Sequence, residues 1–163
     1  MAENDPKIIF TGSIRAGVKT AIRAVSVSDT AIKKEFQATT MAYGVLKLEN
    51  GRKIQLYGTL DQEQLELMAD ILSSDCIGLA LLIDNSRENP IADLKFFLNT
   101  FSDFITETNI VVGVAQMDLT KKTSLEDYRV ELKSMSLNPP LFEVDVRQKK
   151  DISLLVQALL SLH

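Results

Sequence analysis

Gly12 and Gly17, five positions apart, are followed at once by Val18, Lys19 and Thr20. Glycines at this spacing let a loop turn its backbone N–H groups around an anion. The apolar run at 7–11 before them and the Ala/Ile/Val-rich stretch after them supply the strand and the helix that such a loop joins. Phosphate chemistry then asks for a lysine directly after the second glycine, and a Ser or Thr hydroxyl after that to hold magnesium. Here Val18 takes the lysine's place and Lys19 the hydroxyl's. The layout of a phosphate loop is kept while its cation and its metal ligand are replaced. The plainer reading is that the two glycines only shape a strand-to-helix turn. Lys19 either stands in for part of a magnesium charge or points to solvent, and Arg15 either touches a phosphate or lies across an empty site.

Few other side chains of catalytic type gather. The sole histidine is His163, at the frayed end of the last helix, so no Ser/His/Asp or Cys/His arrangement can form. The one cysteine, Cys76, allows neither an internal disulfide nor a Cys/His zinc site, and reads as a small buried hydrophobe in a reducing compartment. With 163 residues, 45% hydrophobic and 25% charged, the chain suits a single domain over 1–163, with 1–6 disordered. Net charge is -4, and the basic groupings are no longer than the pairs Lys33-Lys34, Lys121-Lys122 and Lys149-Lys150, which speaks against nucleic acid. The acidic first residues lack the apolar stretch of a signal peptide, and no run approaches the roughly 18 apolar residues of a membrane span. A cytoplasmic protein with no membrane span is expected.

The elements that must position the loop follow from periodicity. Strands are expected at 7–11, 41–48, 53–57, 77–83, 109–115 and 141–144. Asn50-Gly51 joins the second and third as a hairpin whose two turn residues both take positive φ, so these strands are antiparallel neighbours. Helices are expected after Gly17, ending near 26–29, and around Leu65, Met68, Ala69 and Leu72. Three more are expected over 90–104 behind Pro90, from the N-cap Ser124 through Leu125, Tyr128, Leu132 and Met135 to a break at Asn138-Pro139-Pro140, and over 152–162. The mixed-charge stretch 31–38 reads as a surface loop. Six strands and five helices in this order predict an α/β fold with a mostly parallel sheet, helices on both faces, and strand 41–48 as an antiparallel edge. Ligands of such sheets bind at the carboxyl ends of the strands.

This order, the hairpin and the loop positions resemble the small GTPases, and within them the bacterial MglA-like (Ras-like) group. The resemblance runs over nearly the whole chain and implies a P-loop small G-protein fold. The group reads Gly-x-x-Gly-Ala-Gly-Lys-Thr-Thr in its first loop, and this chain reads Gly12-Ser-Ile-Arg-Ala-Gly-Val-Lys-Thr20 without a gap. It implies nucleotide-binding roles for Gly12, Arg15, Gly17, Lys19, Thr20 and Asp118, where Asp118 is what remains of Asn-Lys-x-Asp in Ala115-Gln-Met-Asp118. In Gly58-Thr-Leu-Asp-Gln62, Gln62 matches the water-orienting glutamine, while Asp61 replaces a glycine near the terminal phosphate. The last loop, residues 143–147, is compatible with the group's pattern. Thr39 or Thr40 is the candidate magnesium ligand of the first switch, and Asp84 lies at a strand end away from the metal.

Val18, Lys19 and Asp61 all fall in the phosphate and magnesium shell. The expectation is therefore a GTPase-like signalling or scaffolding protein with impaired nucleotide binding and hydrolysis, at most a weak GTPase, that binds GTP or GDP weakly. Magnesium is in doubt for want of a hydroxyl. The alternative is an active GTP-binding protein in which Lys19 reaches back to the phosphates. The resemblance also implies a protein partner of the small roadblock-type regulators; separately, an exposed edge at strand 41–48 makes that strand and the helix after Gln62 the expected partner face.

Overall fold

The computed structural model describes residues 5–13, 17–27, 33–36, 39–58, 75–119 and 122–162. Its sheet contains β1 (Lys7–Gly12), β2 (Lys33–Phe36), β3 (Thr39–Lys47), β4 (Lys53–Gly58), β5 (Cys76–Asp84), β6 (Asn109–Ala115) and β7 (Leu141–Val144). The spatial order is β2-β3-β4-β1-β5-β6-β7. From β4 to β7 the neighbours are parallel, and β3 is antiparallel to both β2 and β4.

Continuous apolar strands need cover on both faces, and they receive it. Ile8 and Phe10 of β1, with Ala80 and Leu82 of β5, join a core under α1 (Val18–Val25) and α5 (Lys149–Leu162). Ile9, Leu79, Leu81 and Ile83 point the other way, as the two-residue period of a strand requires. They pack under α2 (Pro90–Thr100), α3 (Ser102–Glu107) and α4 (Leu125–Ser134). The result is an α/β architecture with a mostly parallel sheet and helices on both faces.

All six expected strands are present, and a seventh flanks them. β2 occupies the stretch expected as a surface loop, and its backbone pairs with β3 from Lys33↔Ala42 to Phe36↔Thr39. An edge strand tolerates charge, so the sequence Lys-Lys-Glu-Phe carries no apolar period to betray it. β3 is consequently one strand in from the edge rather than on it. The hairpin after it also closes differently from expectation. Only Gly51 takes positive φ, at 87°. Leu48 and Arg52 close a three-residue loop through Leu48 N–H to Arg52 O at 2.8 Å, while Asn50 Oδ1 accepts from Arg52 N–H at 2.9 Å. This is the turn-plus-left-handed-glycine form that three-residue hairpins favour.

The helix expected over 90–104 is two helices, broken at Phe101, whose φ of -103° and ψ of 22° leave the helical region while its ring stays 2% exposed. Asn89 caps α2 through its side chain, accepting from Ala92 N–H at 3.1 Å, and Ser124 and Asp127 form the reciprocal cap of α4. α4 stops at Ser134, before the prolines, because Ser136 turns the chain at φ 62°. The expected helix carrying Leu65, Met68, Ala69 and Leu72 lies outside the described residues.

α1 sits unusually close to the sheet. A Cβ at Gly44 of β3 would fall 1.9 Å from Ser26 Oγ and 2.7 Å from Ile22 Cγ2, and one at Gly58 of β4 would fall 2.8 Å from Ile22 Cδ1 and 2.9 Å from Val18 Cγ1. Ala42, which pairs with Gly58, completes this small-residue seat. Gly58→Val should therefore overpack the seat and lower stability in denaturant unfolding by about 1–3 kcal/mol. A change within about 0.5 kcal/mol, the scale of an unconstrained surface site, would contradict the close contact.

Candidate functional site

The glycine loop begins where β1 ends. Gly12 has φ 149°, and a Cβ there would lie 1.9 Å from Leu82 O, so the approach of β1 to β5 at this point requires glycine. On either side of Gly12, Thr11 and Ser13 carry buried hydroxyls that find no hydrogen-bond partner among the described residues. Gly17, at φ 81° and ψ 49°, is the N-cap of α1 and offers no side-chain cap. Its missing Cβ leaves room for Val146, whose Cγ2 would be 2.9 Å away, and so brings the start of α1 against the loop after β7.

That meeting encloses a cleft of ≈ 790 Å³ at the carboxyl ends of β6 and β7. Gly17 and Thr20 border it from the start of α1, Gln116 to Leu119 from the segment after β6, and Glu143 to Arg147 from the end of β7 and the loop after it. Gln116 reverses the chain with φ 64°, and the 3₁₀ turn Met117–Leu119 follows, with Asp118 exposed at its centre. Asp145 holds Arg147 in a two-pronged pair, Nε to Oδ1 and Nη2 to Oδ2 each at 3.0 Å. The Arg147 hydrogen bonds keep the Asp145 carboxyl below the usual carboxylate range, and the same bonds, with the charge of Asp118 added, push the Arg147 guanidinium further up. An exposed pair of this kind contributes little to stability. Its effect is to fix the direction of the arginine. Asp145 N–H in turn donates to Asp151 Oδ2 at 2.8 Å, anchoring the loop to the first turn of α5.

Of the site residues expected from sequence, Gly17, Thr20 and Asp118 border one cleft, whereas Gly12 ends β1 against Leu82 and is not in the lining. Lys19 is exposed and outside the described lining. Val18, in the position where a phosphate loop carries lysine, is 1% exposed and belongs to the core between α1 and the sheet. Arg15, Asp61 and Gln62 lie outside the described residues. Thr39 and Thr40 open β3, paired by backbone with Phe36 and Glu35, beyond the point where Ala42 meets Gly58 at the end of β4. The question of a ligating hydroxyl there also lies outside what is described. Asp84 is buried and spends Oδ1 on Ser86, accepting from its N–H at 2.9 Å and its Oγ at 2.6 Å. Among the described residues there is no group of three or more His, Cys, Asp or Glu side chains able to hold a metal ion, and no helix long and apolar enough to cross a membrane.

Asn85 is the positioning residue that the sequence did not reveal. Only 1% exposed, it donates its backbone N–H to Ala115 O at 2.9 Å and Nδ2 to Thr123 O at 3.3 Å, and its Oδ1 accepts from Tyr128 Oη at 2.5 Å. These bonds tie the loop after β5 to both ends of the segment that carries Asp118. Burial, followed by the charges of Asp84, Asp93 and Asp127, pushes the Tyr128 phenol well above its ordinary range, so it remains a donor. No local pattern marks a contact between residues 43 positions apart.

No protein-family model matches the chain, and no curated protein matches it.

Removing the Tyr128 hydroxyl leaves the buried Asn85 carbonyl without that donor. Tyr128→Phe is therefore expected to cost about 1–3 kcal/mol in denaturant unfolding, with an unaltered far-ultraviolet circular dichroism spectrum. A neutral result would show that the hydroxyl does not hold the loop.

Proposed function

We propose that this chain is a small-GTPase-like signalling or scaffolding protein whose nucleotide binding and hydrolysis are impaired, and which acts by binding a regulatory protein. The observation that carries the reading is Val18. It stands directly after the second glycine, where phosphoryl chemistry places a lysine, and it is buried against Gly58 and Ile22 instead of bordering the cleft. The loop thus gives up its cation to the core.

The cleft's electrostatics support the same reading. Its described border carries Asp118, Glu143, Asp145 and Asp151 against the single cation Arg147, and Arg147 is already paired. A triphosphate brought here meets like charge, and polarised N–H groups at the start of α1 supply only a partial positive charge in return. Phosphoryl transfer depends on positioned positive charge to stabilise the transition state. With no lysine in place, no hydroxyl after it for magnesium, and Asp61 in the sequence where glycine usually approaches the terminal phosphate, that stabilisation is missing. The partner surface that fits this reading is the sheet edge at β2, which has a neighbouring strand on one side only and so offers its backbone for pairing. A roadblock-type regulator remains the partner class that the resemblance implies.

A second reading, a GTP-binding protein with slow hydrolysis, draws support from the cleft itself. Its volume and its three bordering loops leave space for a nucleotide, with Asp118 available to accept from N–H groups of a base. Turnover separates the two. Under excess GTP and magnesium, phosphate release is expected to stay at the uncatalysed background and to be unchanged by Gln62→Ala. Release well above background that Gln62→Ala abolishes would favour the second reading and overturn the first.

A further inference from the structure

A second concavity lies beside Pro6 and Ile77, at the starts of β1 and β5. It is a groove of ≈ 780 Å³ between the β3–β4 hairpin and one stripe of α5. The stripe is Lys149, Ser153, Gln157 and Leu160, spaced so that they share one helix face. Leu46 and Ile77 are buried beneath the groove, and Leu48 and Leu160 pack half-buried against the same core, so its floor is apolar. Its rim is not. Lys47, Arg52 and Lys149 are exposed and line it, and Glu49 is the one carboxylate in the described lining.

Among the described residues some surface cations are paired and others, Lys19, Arg23, Lys53, Lys133 and Lys150 among them, are in no ion pair. Arg87, Lys95, Arg129 and Arg147 each pair with a carboxylate. Among the described residues, the side-chain cations of Lys47, Arg52 and Lys149 pair with none, and Ser153 and Gln157 make no side-chain hydrogen bond. A chain with net charge -4 thus carries a cationic groove with free hydrogen-bonding groups along its wall.

We propose that this groove docks an extended acidic segment of a partner protein, in which carboxylates alternate with apolar side chains. Alternation follows from the period of an extended chain: one set of side chains meets the apolar floor while the other reaches the cationic rim. Ser153 and Gln157 provide both donors and acceptors for its main chain. Length follows from geometry as well. From Lys149 to Leu160 the helix rises about 16 Å, which an extended segment covers in roughly five residues. Charge complementarity selects the acidic partner and makes its capture sensitive to salt. The concave shape fits a peptide, whereas a lipid surface would need the cations on a flat or convex face. The proposal stands independently of what the glycine loop binds.

The test uses the full chain and a fluorescein-labelled hexapeptide alternating glutamate and leucine, followed by fluorescence polarisation. Binding is expected, weakening about tenfold as salt rises from roughly 50 to 500 mM. The same weakening is expected in Lys47→Glu/Arg52→Glu and, as a second variant, in Lys149→Glu, each checked for an unchanged melting temperature. A glutamine–leucine peptide should bind at least about tenfold more weakly, as the loss of charge complementarity requires. Absence of binding, equal binding of the glutamine peptide, or binding indifferent to charge reversal would each overturn the proposal. So would preferential, charge-reversal-sensitive binding to phosphatidylserine vesicles, or self-association of the chain through the same residues.

Discussion

Helix α1 lies on β3 and β4 at a distance that only small residues allow, and the position of Gly17 at its start depends on that contact. Gly44, Gly58 and Ala42 remove the side chains that would otherwise hold the helix away, and Ile22, Val18 and Ser26 fill the space. The chain leaving α1 is held too: Val27 N–H donates to Val45 O at 2.9 Å. With the helix axis fixed so close to the sheet, its first turn must start directly after Gly17. Gly17 in turn must lie against Val146. One apolar contact thereby sets where the first and last loops of the cleft meet.

The same contact decides what the first helical position can do. Burying a valine there stabilises the fold by about 1.5–3 kcal/mol relative to exposure, whereas a lysine would have to begin its stem among the same carbons and carry its ammonium out of the core. The sequence spends the position on packing. Lys19, one residue on, is turned by about 100° around the helix and is exposed. The proposed impairment therefore has its physical origin in the α1 seat, and the carboxylate-rich border of the cleft adds to it. The bond from Asp145 N–H to Asp151 and the Asn85–Tyr128 bond give this border a defined shape, since each fixes a loop that the strands alone would leave unanchored.

Much of the fold was legible because parallel strands covered on both faces write themselves as unbroken apolar runs. Asn109–Ala115 and Leu141–Val144 coincide with the runs read from sequence. What stayed hidden was governed by long-range or backbone geometry. β2 pairs through its main chain at an edge, where charged side chains carry no period. The α2–α3 break was masked because Leu94, Leu98 and Phe101 keep helical spacing across it. At the site, Asp118 was singled out only by the resemblance, while the two glycines and the replacement of lysine by Val18 could be read from spacing. That Val18 is buried, that Arg147 is aimed by Asp145, and that Asn85 joins two loops could not, because each depends on residues distant in the chain.

Calorimetric titration with GDP and GTP, with and without magnesium, tests the central claim most directly when the unaltered chain is compared with the double variant Val18→Lys/Lys19→Thr. The account predicts weak binding to the unaltered chain that is indifferent to magnesium, and tighter, magnesium-dependent binding once the lysine and the hydroxyl are restored in a variant still folded by circular dichroism. Tight, magnesium-dependent binding by the unaltered chain would contradict it.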